Sequence, residues 1–292
     1  LSLYEGSTAE DMDYQQDGTE LIIVWSGSDA TRTREITGYQ VCLGTNPADS
    51  NTVDWIGLGS ANEYTFSGLS LTEGTTYYAS ARAQDLAGNI SEIFTGDGIT
   101  IDQSGPLPGQ LNDGTEEDID WVTINYLADG NWNGFLDSLS GIAEYEYSLG
   151  LNPGQTQVVS WTSAGLDTSI TVSASLTQGP TYFANVRAID SVSNIGPVIS
   201  SDGFGLDQSA PVSGTVIDGS ITDLEWTNSV GSLSASWSGF SDEYSGIDFY
   251  EYAIGTTAGG QNTVGWTFAD TLTAVTQEDL DLGNGTTYYF SV

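Results

Sequence analysis

The chain has 292 residues, in which 40 aspartates and glutamates stand against four arginines, with no lysine and no histidine, so its formal net charge is −36. This charge repels nucleic acids and anionic membrane surfaces, and no run of about 18 apolar residues is present to insert into a bilayer. The missing histidine and lysine exclude Ser-His and Cys-His nucleophiles, histidine-metal sites, Schiff bases and P-loops. The 8 tryptophans and 15 tyrosines supply enough apolar surface for packed cores.

The first hundred residues predict short β-strands separated by turns. Trp25 lies in an apolar run, and residues 39–43 alternate between two faces, as in a half-buried strand. Leu71 lies six residues before Tyr77, which opens another alternating run. This spacing is typical of a tyrosine corner, in which a buried ring keeps its hydroxyl bonded to nearby backbone. No amphipathic helix longer than two turns is predicted.

The same pattern then returns twice along the chain. The segment that begins at Gly74 recurs at Gly179 and again at Gly285, at spacings of 105 and 106 residues, and the eight tryptophans keep this period. Two connectors that contain Pro106 and Pro211 separate the copies, and they indicate short stiff joints because proline restricts the backbone around it. We therefore predict three modules, at residues 1–103, 104–208 and 209–292.

Each module is predicted to be a Greek-key β-sandwich, because about seven short strands in about 100 residues are typical of that fold. The strand-B tryptophan, the paired tyrosines of strand C, the Gly-Thr-x-Tyr start of strand F and residues 82–89 carry a family resemblance. The chain resembles fibronectin type III-like and bacterial immunoglobulin-like modules of large extracellular bacterial proteins. The resemblance implies an all-β tandem array of three immunoglobulin-like (fibronectin type III-like) sandwiches, and it implies little about function.

The third module is predicted to lack its C-terminal strand. Val292 aligns with Val186 of the second module, which continues for another 21 residues, to Asp207. A sandwich without strand G exposes an unpaired edge and an open core. We expect the chain to continue into a longer array, because repeat arrays are commonly long; the alternative is a strand donated by a neighbouring subunit.

Aspartates recur at the same positions of the repeat around both connectors, whereas surface acids without a role would fall at different positions in each copy. Carboxylates that meet at a joint repel one another unless a cation holds them, and calcium, the candidate cofactor, accepts about six to eight oxygen ligands. We therefore predict calcium at the module joints. The alternative is that these aspartates cap turns through local backbone hydrogen bonds. The set at the first joint is Asp97, Asp102, Asp113 and Asp118, and the set at the second is Asp202, Asp207, Asp218 and Asp223.

Other candidate sites favour structural interpretations. Residues 129–134 match the first six positions of a calcium-binding loop, but position 12 of that loop is Ser140 and Trp132 is the strand-B tryptophan, so a strand is favoured. No catalytic residue is predicted, because most notable residues recur once per module, as scaffold residues do. Core or joint packing is the favoured explanation of the repeated tryptophans, and a sugar-binding aromatic face is the alternative.

The remaining candidates are two asparagines, the single cysteine and two of the four arginines. Asn89 and Asn284 head acceptor sequons, so N-linked glycan at these positions is a hypothesis, with coincidence in a Ser/Thr-rich chain as its alternative. Cys42 is interpreted as an ordinary small strand residue, because nothing basic would activate it. Arg82 and Arg187 share one strand-F position, where a salt bridge on the sheet face is expected.

The sequence thus predicts a non-catalytic structural or adhesive segment of an extracellular bacterial surface protein or fibre, acting as a stiff repeat stalk. One alternative is a polymerising extracellular filament subunit that is completed by strand donation between protomers. The other is an accessory module of a secreted polysaccharide-active enzyme. The expected partners are neighbouring copies of the same protein or further modules of the same chain, with glycans as a candidate and with nucleic acid and membrane insertion excluded.

Overall fold

The computed structural model describes residues 2–6, 11–26 and 36–292, and in that part of the chain every regular element is a β-strand. Alternating apolar residues explain the local structure: in Glu20–Ser26, the side chains of Leu21, Ile23 and Trp25 are buried and those between them are more exposed. The strands of the first module are β1 (Ser2–Glu5), β2 (Tyr14–Gln15), β3 (Glu20–Ser26), β4 (Ile36–Gly44), β5 (Val53–Gly57), β6 (Glu63–Ser67), β7 (Thr76–Asp85), β8 (Phe94–Thr95) and β9 (Ile99–Ile101).

Two sheets form the first module. One has the order β1-β3-β6, and the other has the order β2-β9-β7-β4-β5 with β8 paired to β7. The first strand of the fold changes sheets, because β1 pairs antiparallel with β3 whereas β2 pairs parallel with β9. The core lies between the sheets, where the ring of Trp25 meets that of Tyr39 edge-on at a centroid distance of 5.8 Å.

The second module repeats these elements. Its strands β10, β12 and β15 form one sheet, while β13 pairs antiparallel with both β14 and β16, and β17 pairs with β16. The repeat tryptophan, Trp132, is buried and packs against Tyr145 at 5.7 Å. The bounds are β10 (Gln110–Asp113), β11 (Trp121–Val122), β12 (Leu127–Asn133), β13 (Ile142–Gly150), β14 (Val159–Gly165), β15 (Ser169–Ser173), β16 (Thr181–Asp190), β17 (Ile199–Ser200) and β18 (Phe204–Leu206).

The third module has fewer strands around a smaller core. One sheet has the order β19-β20-β23 and the other has the order β22-β21-β24. Trp237, Tyr252, Ile254 and Ala269 form the buried core. The bounds are β19 (Thr215–Asp218), β20 (Leu233–Ser238), β21 (Tyr250–Gly255), β22 (Val264–Asp270), β23 (Ala274–Gln277) and β24 (Tyr289–Ser291).

The chain divides into two compact units. The first comprises residues 1–119, 128–174 and 182–203, and the second comprises residues 120–127, 175–181 and 204–292. The first connector therefore lies inside the first unit, and the segment that contains Asp207 lies inside the second. The module boundaries taken from the sequence stay a prediction.

The architecture confirms the predicted fold class of tandem all-β, immunoglobulin-like sandwiches. The tyrosine corner is also confirmed in two modules, because the N–H of Thr72 donates to the hydroxyl of Tyr77 at 3.0 Å and the N–H of Gly283 donates to that of Tyr288 at 2.8 Å. Cys42 is a buried residue of β4, and burial raises the pKa of its thiol to about 11, as expected for an unreactive strand residue.

Candidate metal centres

Among the described residues, five of the eight aspartates predicted at the joints belong to groups of three carboxylates, and these groups are of two kinds. The structure places Asp102 with Asp137 and Asp190 at the first connector. It places the others of the first set in groups within single modules, so the expected meeting of all four at one joint is not what the fold produces. Asp97 lies with Glu5 and Asp11, whereas Asp113 and Asp118 lie with Asp202. In each of these groups the ligand atoms lie within 4.8 Å of one another.

The group at the first connector contains a buried carboxylate with an unused oxygen. Asp102 is fully buried; its Oδ2 accepts a hydrogen bond from the N–H of Ser140 at 3.0 Å, while its Oδ1 has no hydrogen-bond partner. Asp137 Oδ1 accepts from two main-chain N–H groups of its own loop, that of Leu139 at 3.0 Å and that of Gly141 at 2.8 Å. Local turns therefore orient the carboxylates, as the turn-capping alternative expected, but they leave Asp102 Oδ1 unsatisfied.

Asn194 attaches the connector to the second module. Its Nδ2 donates to the main-chain carbonyl of Asp102 at 3.0 Å and to Oδ2 of Asp190 at 2.7 Å, and Gln16 Nε2 donates to its Oδ1 at 2.5 Å. Gly105 is needed for this close approach, because a Cβ there would lie 2.5 Å from the main-chain carbonyl carbon of Ile195. The connector is thus packed into the module that follows it.

The second connector repeats part of this arrangement. Oδ2 of Asp207 accepts hydrogen bonds from the N–H of Ser245 at 3.1 Å and from its hydroxyl at 2.7 Å. Oδ1 of Asp242 accepts from the same N–H at 2.9 Å. The Ser245 hydroxyl lowers the pKa of Asp207. Asp207 and Asp242 occupy the positions of Asp102 and Asp137, and in the described chain no third carboxylate joins them in a group like those above.

The groups within the modules lie where the first strand leaves one sheet for the other. Glu5 ends β1 and Asp113 ends β10; both are fully buried, and Oε2 of Glu5 and Oδ1 of Asp113 have no hydrogen-bond partner. Burial raises the pKa of Glu5 to about 7 and that of Asp113 to about 6. Asp218 is the equivalent residue of β19, and burial together with the Asp223 carboxylate raises its pKa as well.

Sequence reasoning missed four carboxylates and one amide that the fold brings into these groups. Asp137 recurs as Asp242 at the repeat spacing, and this signal was present in the sequence. Glu5 was hidden because the first module uses glutamate where the others use aspartate. The missed residues are Glu5, Asp11, Asp137, Asp190 and Asn194.

The remaining candidates have mixed outcomes. Residues 129–133 form part of β12, which confirms the strand interpretation over a calcium-binding loop. Asn89 and Asn284 are both exposed, and glycan at either stays a prediction. The Nδ2 of Asn89 donates to Oδ2 of Asp85 at 2.9 Å.

The expectation that core or joint packing explains all eight tryptophans is wrong for most of them. Trp25, Trp132 and Trp237 are core residues, whereas Trp266 is 50% exposed and Trp226 is 88% exposed. The repeat equivalents of Trp266 are Trp55 and Trp161, and both stack under arginines, with Arg82 over Trp55 at 4.0 Å and Arg187 over Trp161 at 4.4 Å.

The salt bridge expected at the strand-F arginines exists in one module. Arg187 pairs with Glu146 at 2.6 Å, whereas Nε of Arg82 donates to Oε1 of Gln40 at 2.7 Å. The difference follows from the facing strand, which offers a carboxylate in the second module and an amide in the first.

Comparisons with known proteins assign no family to the chain. No protein-family model matches the chain, and no curated protein is similar to it in sequence. Among solved structures, the chicken CNTN1 FN1-FN3 domains are similar at 14% identity, with 94% of this chain and 88% of that chain covered and a TM-score of 0.35. Within residues 2–6, 11–26 and 36–292 no helical segment has the length and hydropathy of a membrane span.

Proposed function

We propose that the chain is a non-catalytic structural or adhesive segment of an extracellular bacterial surface protein, in which successive sandwich modules form a stiff stalk. The observation that carries this proposal is that the connector of the first unit is packed against the module that follows it. Asp102 is fully buried, its carbonyl accepts from Asn194 of the following module, and Gly105 packs against the backbone at Ile195. A flexible linker would instead be solvated and rich in glycine and serine. Neighbouring modules or copies of the same chain are the expected partners.

Calcium at the first connector is part of the same proposal. Asp102, Asp137 and Asp190 place three carboxylates together, and the unused buried Oδ1 of Asp102 is an oxygen that a cation would satisfy. Such an ion would neutralise repulsion among the carboxylates and join the connector to a loop and a strand end of the next module. Calcium is preferred over softer metals because all the ligands are oxygens.

Hydrogen exchange on the full chain tests calcium binding at the connector. Calcium is expected to slow amide exchange in residues 102–108, and Asp137→Asn is expected to abolish that effect. Asp242→Asn is the matched control, because Asp242 holds the equivalent position where no third carboxylate joins the group. Equal exchange with calcium and with chelator would refute calcium at the joint.

Electron microscopy of the same material tests the stalk. Isolated rods of constant length support a stiff repeat segment, because each connector would hold its neighbours at a fixed angle. Particles with variable bends at the connectors would refute stiffness. Long regular fibres would favour the polymerising filament instead.

A further inference from the structure

The module-internal carboxylate groups differ from the joint site in position and in strands. In the first module Glu5 ends β1, Asp11 lies in the link to β2, and Asp97 precedes β9. Since β1 belongs to one sheet and β9 to the other, this group brings together residues next to both sheets. In the second module Asp113 and Asp118 meet Asp202, also in the first unit.

We propose that each of these two groups, Glu5–Asp11–Asp97 and Asp113–Asp118–Asp202, is a calcium site that ties the two sheets of its own module together. The inference is independent of the joint site, with which it shares no residue. Three side-chain carboxylates supply the charge, and main-chain carbonyls and waters would complete the coordination shell of about six to eight oxygens.

A buried oxygen without a hydrogen-bond partner recurs in both groups. It is Oε2 in Glu5 and Oδ1 in Asp113, and both residues are 0% exposed. Buried carboxylate oxygens in proteins nearly always have a donor or a cation, because an unsatisfied one costs the desolvation of the group. A buried oxygen without a donor at the same place in two copies of one fold indicates a common ligand rather than a local defect.

The surroundings of the two buried carboxylates compensate for their different lengths. In the first module the N–H of Ala79 donates to Oε1 of Glu5 at 3.3 Å. In the second, the equivalent N–H of Ala184 donates to the hydroxyl of Ser201 at 3.0 Å, and the N–H of Gly203 donates to Oδ2 of the shorter Asp113 at 3.1 Å.

Gly96 stands where the second module has Ser201, and a Cβ at Gly96 would overlap the Glu5 carboxylate. Both modules therefore bring a carboxylate to the same part of the fold. The first uses the longer Glu5 beside Gly96, and the second uses the shorter Asp113 with Ser201 at the position of Gly96.

The second acid of each group is held in place by the backbone. The N–H of Glu5 donates to Oδ1 of Asp11 at 3.0 Å, and the N–H of Asp113 donates to Oδ1 of Asp118 at 3.2 Å. This bond leaves the other carboxylate oxygen available to a cation. Asp218 and Asp223 make the same bond at 3.2 Å in the third module.

Within the described residues, no arginine side chain supplies positive charge to these groups. The described part of the chain contains two arginines. Arg82 contacts Gln40 and Trp55. Arg187 contacts Glu146 and Trp161. Neither accompanies a carboxylate group. A divalent cation is the ligand that removes the repulsion among three acids without protonating them.

Equilibrium dialysis of the full chain with calcium counts the sites. Asp11→Asn and Asp118→Asn keep the Oδ1 acceptor but remove a charge, and each is expected to lose one bound calcium, with at least a ~10-fold weaker constant at the altered site. Asp223→Asn is the matched control, because Asp218 and Asp223 have no third acid in such a group within the described residues. That variant should bind as much calcium as the parent chain.

Unchanged calcium binding in both variants, or an equal loss in Asp223→Asn, would overturn the proposal, and so would binding of magnesium but not calcium. Circular dichroism checks that the variants fold. If they do not, hydrogen exchange on the parent chain decides: calcium must slow residues 94–99 and 201–205, and the slowing must survive Asp137→Asn. Equal amide exchange rates in those segments with and without calcium would also overturn the proposal. That result would not bear on calcium binding at the first connector.

Discussion

Replacing Asn194 with alanine should loosen the connector from the module that follows it. The substitution removes the bonds from Nδ2 to the carbonyl of Asp102, at 3.0 Å, and to Oδ2 of Asp190, at 2.7 Å, and also the bond that Gln16 donates to Oδ1. A neutral buried hydrogen bond contributes about 1 kcal/mol and one to a charged group about 1.5–3 kcal/mol, so the total loss is about 3–5 kcal/mol.

Asn89→Ala is the matched control, since Asn89 makes the same bond to Oδ2 of Asp85, at 2.9 Å. The difference between the two variants leaves the bonds of Asn194 to Asp102 and to Gln16, which amount to about 1–2 kcal/mol. The amide of Leu107 reports on them, because it donates to the carbonyl of Leu136 in the second module, at 2.8 Å. Hydrogen exchange at that amide should accelerate about 5–30-fold in Asn194→Ala. Equal exchange of Leu107 in both variants would refute the claim that Asn194 holds the connector.

Three further predictions concern single modules. Because burial raises the pKa of Glu5 from 4.5 to about 7, calcium-free stability should fall as pH rises from about 4.5 to 7, and Glu5→Gln should flatten that fall in urea titrations at several pH values. Arg187→Gln removes the ion pair with Glu146 and the stacking on Trp161, so we expect the free energy of unfolding to fall by about 1 kcal/mol and the tryptophan fluorescence to change. An unchanged free energy of unfolding would show that the pair does not stabilise the module. Tyr77→Phe loses one hydrogen bond from a main-chain N–H and should destabilise its module by about 1 kcal/mol in the same assay, with an unchanged midpoint counting against the tyrosine corner.

The sign of the pH effect follows from which state holds the proton. Below pH 4.5 the Glu5 carboxyl is protonated in both the folded and the unfolded chain and favours neither. Between pH 4.5 and about 7 the unfolded chain ionises first, so the folded state loses stability over that window. Calcium should reverse the loss if it binds this group, because the ion favours the charged form.

The fold could be predicted from the sequence because its signals are local and occur three times. Trp25, Trp132 and Trp237 lie in alternating strands, and burial of their side chains confirms the pattern. Tyr77 and Tyr288 make their predicted main-chain bonds. The other tryptophans were harder, because the repeat period marks an equivalent position without saying which face of the sheet it occupies. Trp55 and Trp161 thus lie under arginines instead of in the core.

The composition of the carboxylate groups could be predicted only in part. Recurrence singled out Asp102 and Asp113, both of which are fully buried. It assigned them to the same joint because they are close in sequence. The fold separates them, since Asp102 begins a connector directly after β9 and Asp113 ends a strand that pairs with β12. The partner Asp137 comes from a loop 35 residues further on and Asp190 from the end of β16, 88 residues further on, and proximity along the chain carries no sign of them.

The amino-acid sequence by itself determined the class of this protein: an acidic, histidine-free and lysine-free chain of repeated β-sandwiches. Period-two apolar patterning and a repeat of about 105 residues are properties of the chain that need no coordinates. Only the tertiary structure decided which acids meet, because strand pairing brings together residues as far apart as Glu5 and Asp97 and leaves one oxygen of Glu5 buried without a donor. Desolvation and charge repulsion act on those distances in space, and they turn a uniformly acidic sequence into a small number of defined candidate cation sites.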